Sequence, residues 1–334
     1  MSFKVFIDGR AGTTGLRIAE RLSLRDDISL IDIAEENRKD IDSRLACIYE
    51  SDITILCLPD DGSKEIVGAV NQAVLKAGPD FESKNPRIID ASTAYRVAPD
   101  WVYGMPEIDE KVAIATASYV ANPGCHATGF IMTVRPLVEA GILDQNAMIS
   151  CYSLTGYSGG GKPMISDYSE DPIPEPLTAP RLYGLKQIHK HIPEMQKYSG
   201  MTYEPTFSPI VSRYYAGMLV GVPIPKNAFA KSANINDIYK VLAEYYDGRR
   251  LVCVREPGSE MSEENDCGYL SSNTFVNRDD LEIFVTGDDD KILLVSRYDN
   301  LGKGASGAAI QNMNIMLGLP EETGLIIGKQ FIAV

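Results

Sequence analysis

The sequence predicts an α/β protein: a Rossmann-like, doubly wound nucleotide-binding domain, followed by an α+β substrate and dimerisation domain with a mixed sheet. Three observations carry that expectation. Short apolar runs alternate with helix-spaced segments through the N-terminal third, a glycine-rich turn occupies residues 9–15, and the character of the chain changes around residues 119–124. Alternating strand and helix signals imply a parallel sheet with helices packed on its faces.

Taken in order, residues 4–7 form a strand signal, residues 9–15 a flexible turn, and residues 16–22 a helix with apolar spacing at Leu16, Ala19 and Leu22. Strand signals recur at residues 28–34, 53–58 and 87–90, with a helix at 64–76. Beyond residue 124 come Gly159, Gly160 and Gly161, a proline-rich stretch at 171–180, and apolar segments at 218–224, 251–254, 281–286 and 291–298. With a helix at 235–245, these suggest a mixed or antiparallel sheet. A last periodic segment, 305–317, reads as a helix returning to the first domain, so the expected domains are 1–122 with 305–334, and 123–304.

Length and composition bound the function. At 334 residues the chain exceeds the size at which one core keeps growing, and its 44% hydrophobic and 23% charged residues are those of a globular protein. No stretch approaches the roughly 20 apolar residues of a membrane span, so a membrane is not expected as a partner. A net charge of −14 disfavours nucleic acid. The opening MSFKVFIDGR lacks the features of a secretory signal, so a cytoplasmic location is expected. Six cysteines without a C-x-x-C pair argue against a disulfide framework and a cysteine-rich zinc site, and no metal is expected.

The string F-I-D-G-R-A-G-T-T-G sets Gly9, Gly12 and Gly15 between strand and helix, followed closely by Thr13 and Thr14. Missing side chains there let backbone N–H groups approach a pyrophosphate at the helix N-terminus. The spacing is G-x-x-G-x-x-G rather than G-x-G-x-x-G, so context carries the inference. After the second strand, Asp32 is placed to hold a ribose 2′-hydroxyl, whereas Arg38 and Lys39 are placed to neutralise a 2′-phosphate. These residues leave NAD and NADP both open.

The string A-N-P-G-C-H-A-T-G-F reads as a helix start, with Asn122 as N-cap, Pro123 at the first helical position and Cys125 in the first turn. There the helix dipole favours a thiolate, the nucleophilic form of cysteine. N-P-G-C after a domain carrying G-x-x-G-T-T-G resembles the N-acetyl-gamma-glutamyl-phosphate reductase family, particularly its shorter type, within the semialdehyde dehydrogenase superfamily. The resemblance extends over nearly the whole chain through I-D-A-S-T-A-Y-R, Y-G-M-P-E, L-T-G-Y-S-G-G-G-K, K-Q-I-H-K-H-I-P-E and D-N-L-G-K-G-A-S-G-A-A-I-Q-N-M-N. It departs at His126, where the family commonly has tyrosine.

Two of only three histidines, His189 and His191, flank Lys190, with Glu194 close behind to orient or stabilise an imidazole. They share a face if the stretch is extended and diverge if it is helical. The resemblance implies NADP(H) as cofactor and a small-molecule acyl phosphate as substrate, with Ser92, Arg96 and Asn122 as candidates for its phosphate. Asn300, in the last of the strings, joins the cofactor-binding candidates, and the loop at 155–162 is offered to substrate or cofactor through its backbone donors. The function so implied is NADPH-dependent reduction of N-acetylglutamyl 5-phosphate through a Cys125 thioester in arginine biosynthesis, by a homo-oligomer, dimer or tetramer. An aspartate-semialdehyde dehydrogenase-like enzyme and a non-catalytic dinucleotide sensor are the competing readings.

Overall fold

Alternating apolar runs in the first part of the chain become strands of one sheet. The computed structural model describes residues 2–77, 85–108 and 110–328. Among these, one compact unit runs to Pro123 and takes in Ala308–Gly324, and the other comprises Gly124–Gly307 with the chain from Leu325.

In chain order the first unit contains β1 (Phe3–Asp8), α1 (Thr13–Leu22), β2 (Ile28–Ile31), α2 (Ile41–Glu50), β3 (Ile53–Leu56), α3 (Asp60–Ala77), β4 (Ile88–Asp90), β5 (Val102–Tyr103), α4 (Lys111–Thr116) and β6 (Tyr119–Ala121). The sheet order is β2-β1-β3-β4-β6-β5, with every pairing parallel. Strands buried on both faces read as continuous apolar runs, and β3, I-T-I-L, is buried at every residue. On α1 the buried stripe is Gly15, Ile18, Ala19 and Leu22, the i, i+3, i+4, i+7 pattern of a helix face. Leu16, expected in that stripe, is 48% exposed. Asp40 caps α2 by accepting from the Ser43 amide at 2.8 Å. Phe6, Leu56, Ile66, Val70, Ile88 and Trp101 form the core, and Tyr95 stacks on Trp101 at 4.2 Å. A further helix, Gly307–Met316, brings buried amides to this unit: Asn312 donates to the Gly104 carbonyl at 2.9 Å and Gln311 to Glu107 at 2.8 Å.

The second unit contains α5 (Cys125–Glu139), β7 (Ser150–Gly156), α6 (Gly161–Tyr168), β8 (Arg181–Leu182), α7 (Ile192–Ser199), β9 (Thr206–Ser212), β10 (Met218–Pro225), α8 (Ile235–Tyr245), β11 (Val252–Val254), β12 (Leu281–Asp288) and β13 (Lys291–Tyr298). A π-helical turn, Gly302–Ser306, leads into the Gly307 helix, α9. Its sheet is mixed, ordered β11-β12-β13-β10-β7-β9-β8, with antiparallel pairs at its centre and parallel pairs β7–β9 and β11–β12. Helix α5 packs against β10 and β13. Gly129 permits that approach, since a Cβ there would lie 2.4 Å from Ser296 Oγ and 2.7 Å from the Tyr298 hydroxyl.

The end of the chain differs from the expected partition. Ile326 exchanges hydrogen bonds with Asp279, its N–H donating to Oδ2 and its carbonyl accepting from the Asp279 amide, both at 2.8 Å. These bonds tie residues 325–328 to the second unit, so the returning portion ends at Gly324. Among the described residues, no helix is long and apolar enough to cross a membrane.

Candidate functional site

In the first unit, β1 ends at Asp8 and α1 begins at Thr13, with Thr14 next in its first turn. Gly9 adopts φ +82°, and a Cβ there would lie 2.4 Å from the Cys57 carbonyl oxygen. Only glycine fits that backbone at that distance. A Cβ at Gly15 would lie 2.6 Å from the Gly9 oxygen, whereas at Gly12 it would meet nothing closer than 3.4 Å. Packing therefore explains Gly9 and Gly15 but not Gly12, where a Cβ would meet only ordinary contacts. Gly12 caps α1 in extended conformation, and no acidic residue of that first turn opposes an anion. The loop fits a dinucleotide.

The charged candidates after β2 are exposed. Arg38 pairs with Glu35 at 3.7 Å, and Lys39 is exposed beside it. Asp32 pairs with Arg10 of the glycine loop, a cation that the sequence reading passed over although it lies inside the loop.

Ser92 and Asn122 follow the ends of β4 and β6, the carboxyl edge of a parallel sheet, where ligands bind. Ser92 Oγ donates to Asp90 Oδ2 at 2.6 Å, and Ser63 Oγ donates to Oδ1 at 2.8 Å. Burial raises the Asp90 carboxyl above its ordinary 3.8, outweighing the lowering by these donors. Arg96 Nε donates to the Asn122 carbonyl at 3.0 Å, and the Asn122 side-chain oxygen accepts from Asn312 at 3.1 Å. Ser92, Arg96 and Asn122 are thus gathered and buried in the first unit.

Helix α5 starts at Cys125 with Gly124 as its cap, φ −77° and ψ 144°. This corrects the assignment of Asn122 as cap and Pro123 as first helical residue. The Asn122 amide donates to the Asp90 carbonyl at 2.8 Å and its own carbonyl accepts from Arg96, which prolongs the extended chain past β6. Gly124 offers no capping side chain, and its N–H donates to the Glu194 carboxylate at 3.0 Å. Glu194, 1% exposed, fixes the backbone just before the thiol. The Tyr298 hydroxyl donates to the Cys125 carbonyl at 2.5 Å and accepts from the Gly129 amide at 3.0 Å. Burial raises that hydroxyl's pKa well above 10, so it stays protonated. A Cβ at Gly304 would lie 2.9 Å from that of Cys125, so the π-helical turn makes room for the half-buried thiol.

All three histidines of the sequence converge here. The His126 ring centroid lies 5.5 Å from that of His189 and 5.3 Å from that of His191, and His189 meets His191 edge-on at 4.8 Å. The segment is neither of the two alternatives: residues 189–191 form a turn, with His191 capping α7 and its amide donating to His189 Nδ1 at 3.2 Å. His126 Nδ1 bonds Ser153 Oγ, and its Nε2 bonds the Tyr183 hydroxyl, both at 2.8 Å. Burial, with His189 and Lys190 nearby, pushes His126 down to about 3, leaving a neutral ring between two hydroxyls. Ligand-capable atoms of Cys125, His126 and His191 lie within 4.8 Å of one another. Tyr183, Ser153, Tyr298 and Gly304 escaped the sequence reading, having no local signature of their roles.

The loop at 155–162 spends backbone donors inside the unit: the amides of Gly156, Tyr157 and Ser158 donate to carbonyls of Gly217, Tyr214 and Tyr215 at 3.1, 2.9 and 3.0 Å. Asn300 anchors it, donating to Ser158 Oγ at 3.1 Å and accepting from the Gly217 amide at 2.8 Å.

Comparison with known proteins gives the class. The family described as semialdehyde dehydrogenase, NAD binding domain, matches residues 4–116, and semialdehyde dehydrogenase, dimerisation domain, matches residues 125–300. Solved structures share this fold: aspartate semialdehyde dehydrogenase II from Vibrio cholerae superposes with TM-score 0.69 at 18% identity, covering 95% of this chain and 99% of its own. The Candida albicans aspartate semialdehyde dehydrogenase with NADP gives 0.59 at 15%, with the same coverage. Much nearer in sequence, N-acetyl-gamma-glutamyl-phosphate reductase 2 of a Nostoc species is 44% identical over 332 residues, 96% of this chain and 99% of its own. The Brucella anthropi N-acetyl-gamma-glutamyl-phosphate reductase is 42% identical over 323 residues, 95% of this chain and 99% of its own. The chain belongs to the semialdehyde dehydrogenase family of oxidoreductases and, within it, to the N-acetyl-gamma-glutamyl-phosphate reductases.

Proposed function

We propose that this chain reduces N-acetyl-L-glutamyl 5-phosphate to N-acetyl-L-glutamate 5-semialdehyde with NADPH, releasing phosphate through a thioester on Cys125, in arginine biosynthesis. The observation that carries the reading is the thiol at a helix start, with a nitrogen of His126 and of His191 within 4.8 Å. The Cys125 sulfur attacks the acyl carbon, a C–S bond forms, the bond to the phosphate oxygen breaks, and phosphate departs. Bound NADPH supplies the hydride that reduces the thioester carbonyl. His191 takes the thiol proton at the first step and returns it to the sulfur as the C–S bond breaks and the aldehyde leaves. His189 seats His191, and Glu194 holds the backbone before the nucleophile. Gly9, Gly12, Thr13, Thr14 and Gly15 would hold the cofactor's pyrophosphate, with Arg38 and Lys39 as candidates for its 2′-phosphate and Asn300 for a further contact. Ser92, Arg96 and Asn122 remain the candidates for the substrate phosphate.

Aspartyl phosphate would suit the same chemistry, and relatives matching nearly the full chain support the acetylglutamyl substrate instead. A non-catalytic sensor has no use for a thiol surrounded by imidazoles. A homo-oligomer is supported by the dimerisation-domain description of the matched family, and a cytoplasmic site by six cysteines without a disulfide. Cys125→Ser tests the reading: it is expected to keep NADPH binding and lose essentially all acyl-phosphate reduction, because an alcohol is a far poorer nucleophile than a thiolate. Turnover comparable to wild type would sink the thioester.

A further inference from the structure

Cys125, His126 and His191 present a thiol and two imidazoles whose ligand-capable atoms all lie within 4.8 Å of one another. A thiolate with two imidazoles is a donor set suited to zinc, which is bound tetrahedrally through sulfur and nitrogen. Around such an ion the ligand atoms stand roughly 3.3–3.8 Å apart, so side-chain rotations of about 1 Å would close the set. Both imidazoles are buried, His191 at 4% and His126 at 3% exposed, and the His126 ring is held by two hydroxyls, whereas the thiol is half-exposed. The hydroxyls of Ser153 and Tyr183 sit on opposite nitrogens of His126. When one nitrogen turns to a metal, the other keeps its hydroxyl, the kind of supporting bond that orients metal-bound histidine.

We propose that Cys125, His126 and His191 form a binding site for Zn²⁺ or a similar thiophilic divalent cation, occupied in competition with the chemistry of the thiol. The ion takes three protein ligands and leaves a fourth position for water, and its arrival displaces the thiol proton to solvent. Occupancy removes the nucleophile, so the cation acts as a reversible inhibitor. Binding rests on the donor set alone, whereas the inhibition rests on the thioester reading of Cys125, and both stand whichever acyl substrate the protein uses.

The test is Zn²⁺ titration of the NADPH-bound protein by calorimetry, with Cys125→Ser, His126→Gln and His191→Gln beside wild type. One high-affinity Zn²⁺ per chain is expected, weakened at least tenfold by either glutamine variant and at least a hundredfold by the serine variant. Thermal melting of each variant checks its fold. A second measurement needs no variant: Zn²⁺ should block iodoacetamide alkylation of the Cys125 peptide, read by mass spectrometry, and EDTA should restore it. Unchanged Cys125 alkylation under saturating Zn²⁺, or a folded Cys125→Ser, His126→Gln or His191→Gln protein binding Zn²⁺ as tightly as wild type, overturns the site.

Discussion

At Cys125 the backbone is held from two sides, Glu194 accepting from the preceding amide and Tyr298 donating to the Cys125 carbonyl, while Gly304 leaves space at its Cβ. The N-P-G-C string placed the thiol in a first helical turn because helix-start signals are local, although the cap is Gly124 and not Asn122. Tyr298 and Tyr183 were not legible, since each comes from a distant segment and acts through one hydroxyl that any buried tyrosine also needs to satisfy. The histidine pair was legible as residue types, but their arrangement depends on a turn into α7 that neither periodicity describes. His191 is buried beside the thiol, while His189 is half-buried and receives the His191 amide. His191→Asn is therefore expected to lower kcat by about a hundredfold or more with little change in KM, and His189→Asn by about tenfold or less. Steady-state kinetics of the two variants decides; a reversed order transfers the role to His189, and normal rates in both shift it to His126.

Among the elements, β3 and β13 with their apolar runs, and α8 with its Asn234 capping box and a buried stripe at Ile238 and Leu242, emerged from the sequence near their final positions. Strands β7 and β9 did not. The inward positions of β7 include Ser153 and Thr155, and β9 carries Pro209, a residue that normally argues against a strand, so neither shows clean apolar alternation. Helix α5 shows how strictly the second unit sets its spacing. A methyl group at Gly129 would overlap Ser296 Oγ, the Tyr298 hydroxyl and Val220 Cγ2, at 2.4, 2.7 and 2.8 Å. In an exposed helix, glycine to alanine would gain roughly 1 kcal/mol of propensity. Here overlap with a packed sheet is expected to win, so Gly129→Ala should destabilise the protein by about 1–3 kcal/mol. Because Tyr298 also holds the Cys125 carbonyl, kcat should fall with it. Urea midpoints and kinetics on one preparation test this, and a stabilised variant would show that α5 is not seated on the sheet at this distance.

For the molecule as a whole, cofactor binding and folding are linked, because a ligand that binds only the native state stabilises it by mass action, by about 2.7 kcal/mol at a hundredfold excess over Kd. NADPH is expected to raise the melting temperature, and NADH less at equal concentration, if Arg10, Arg38 and Lys39, the cations exposed in and after the glycine loop, receive the 2′-phosphate as proposed. The nucleotide loop separates this effect from stability itself. Gly9 and Gly15 are fixed by packing, so substituting them would unfold the loop and reveal little. At Gly12 a Cβ meets only ordinary contacts, the nearest at 3.4 Å. Alanine at this helix cap should cost no more than about 1 kcal/mol in the ligand-free protein. On the proposed placement of the cofactor it does, however, put a methyl group where the pyrophosphate approaches the first amides of α1. Gly12→Ala should therefore melt close to wild type without cofactor and lose most of the NADPH-induced shift. A full shift in this variant would mean that the phosphates approach from elsewhere, and Gly12 would then have no explanation in the loop.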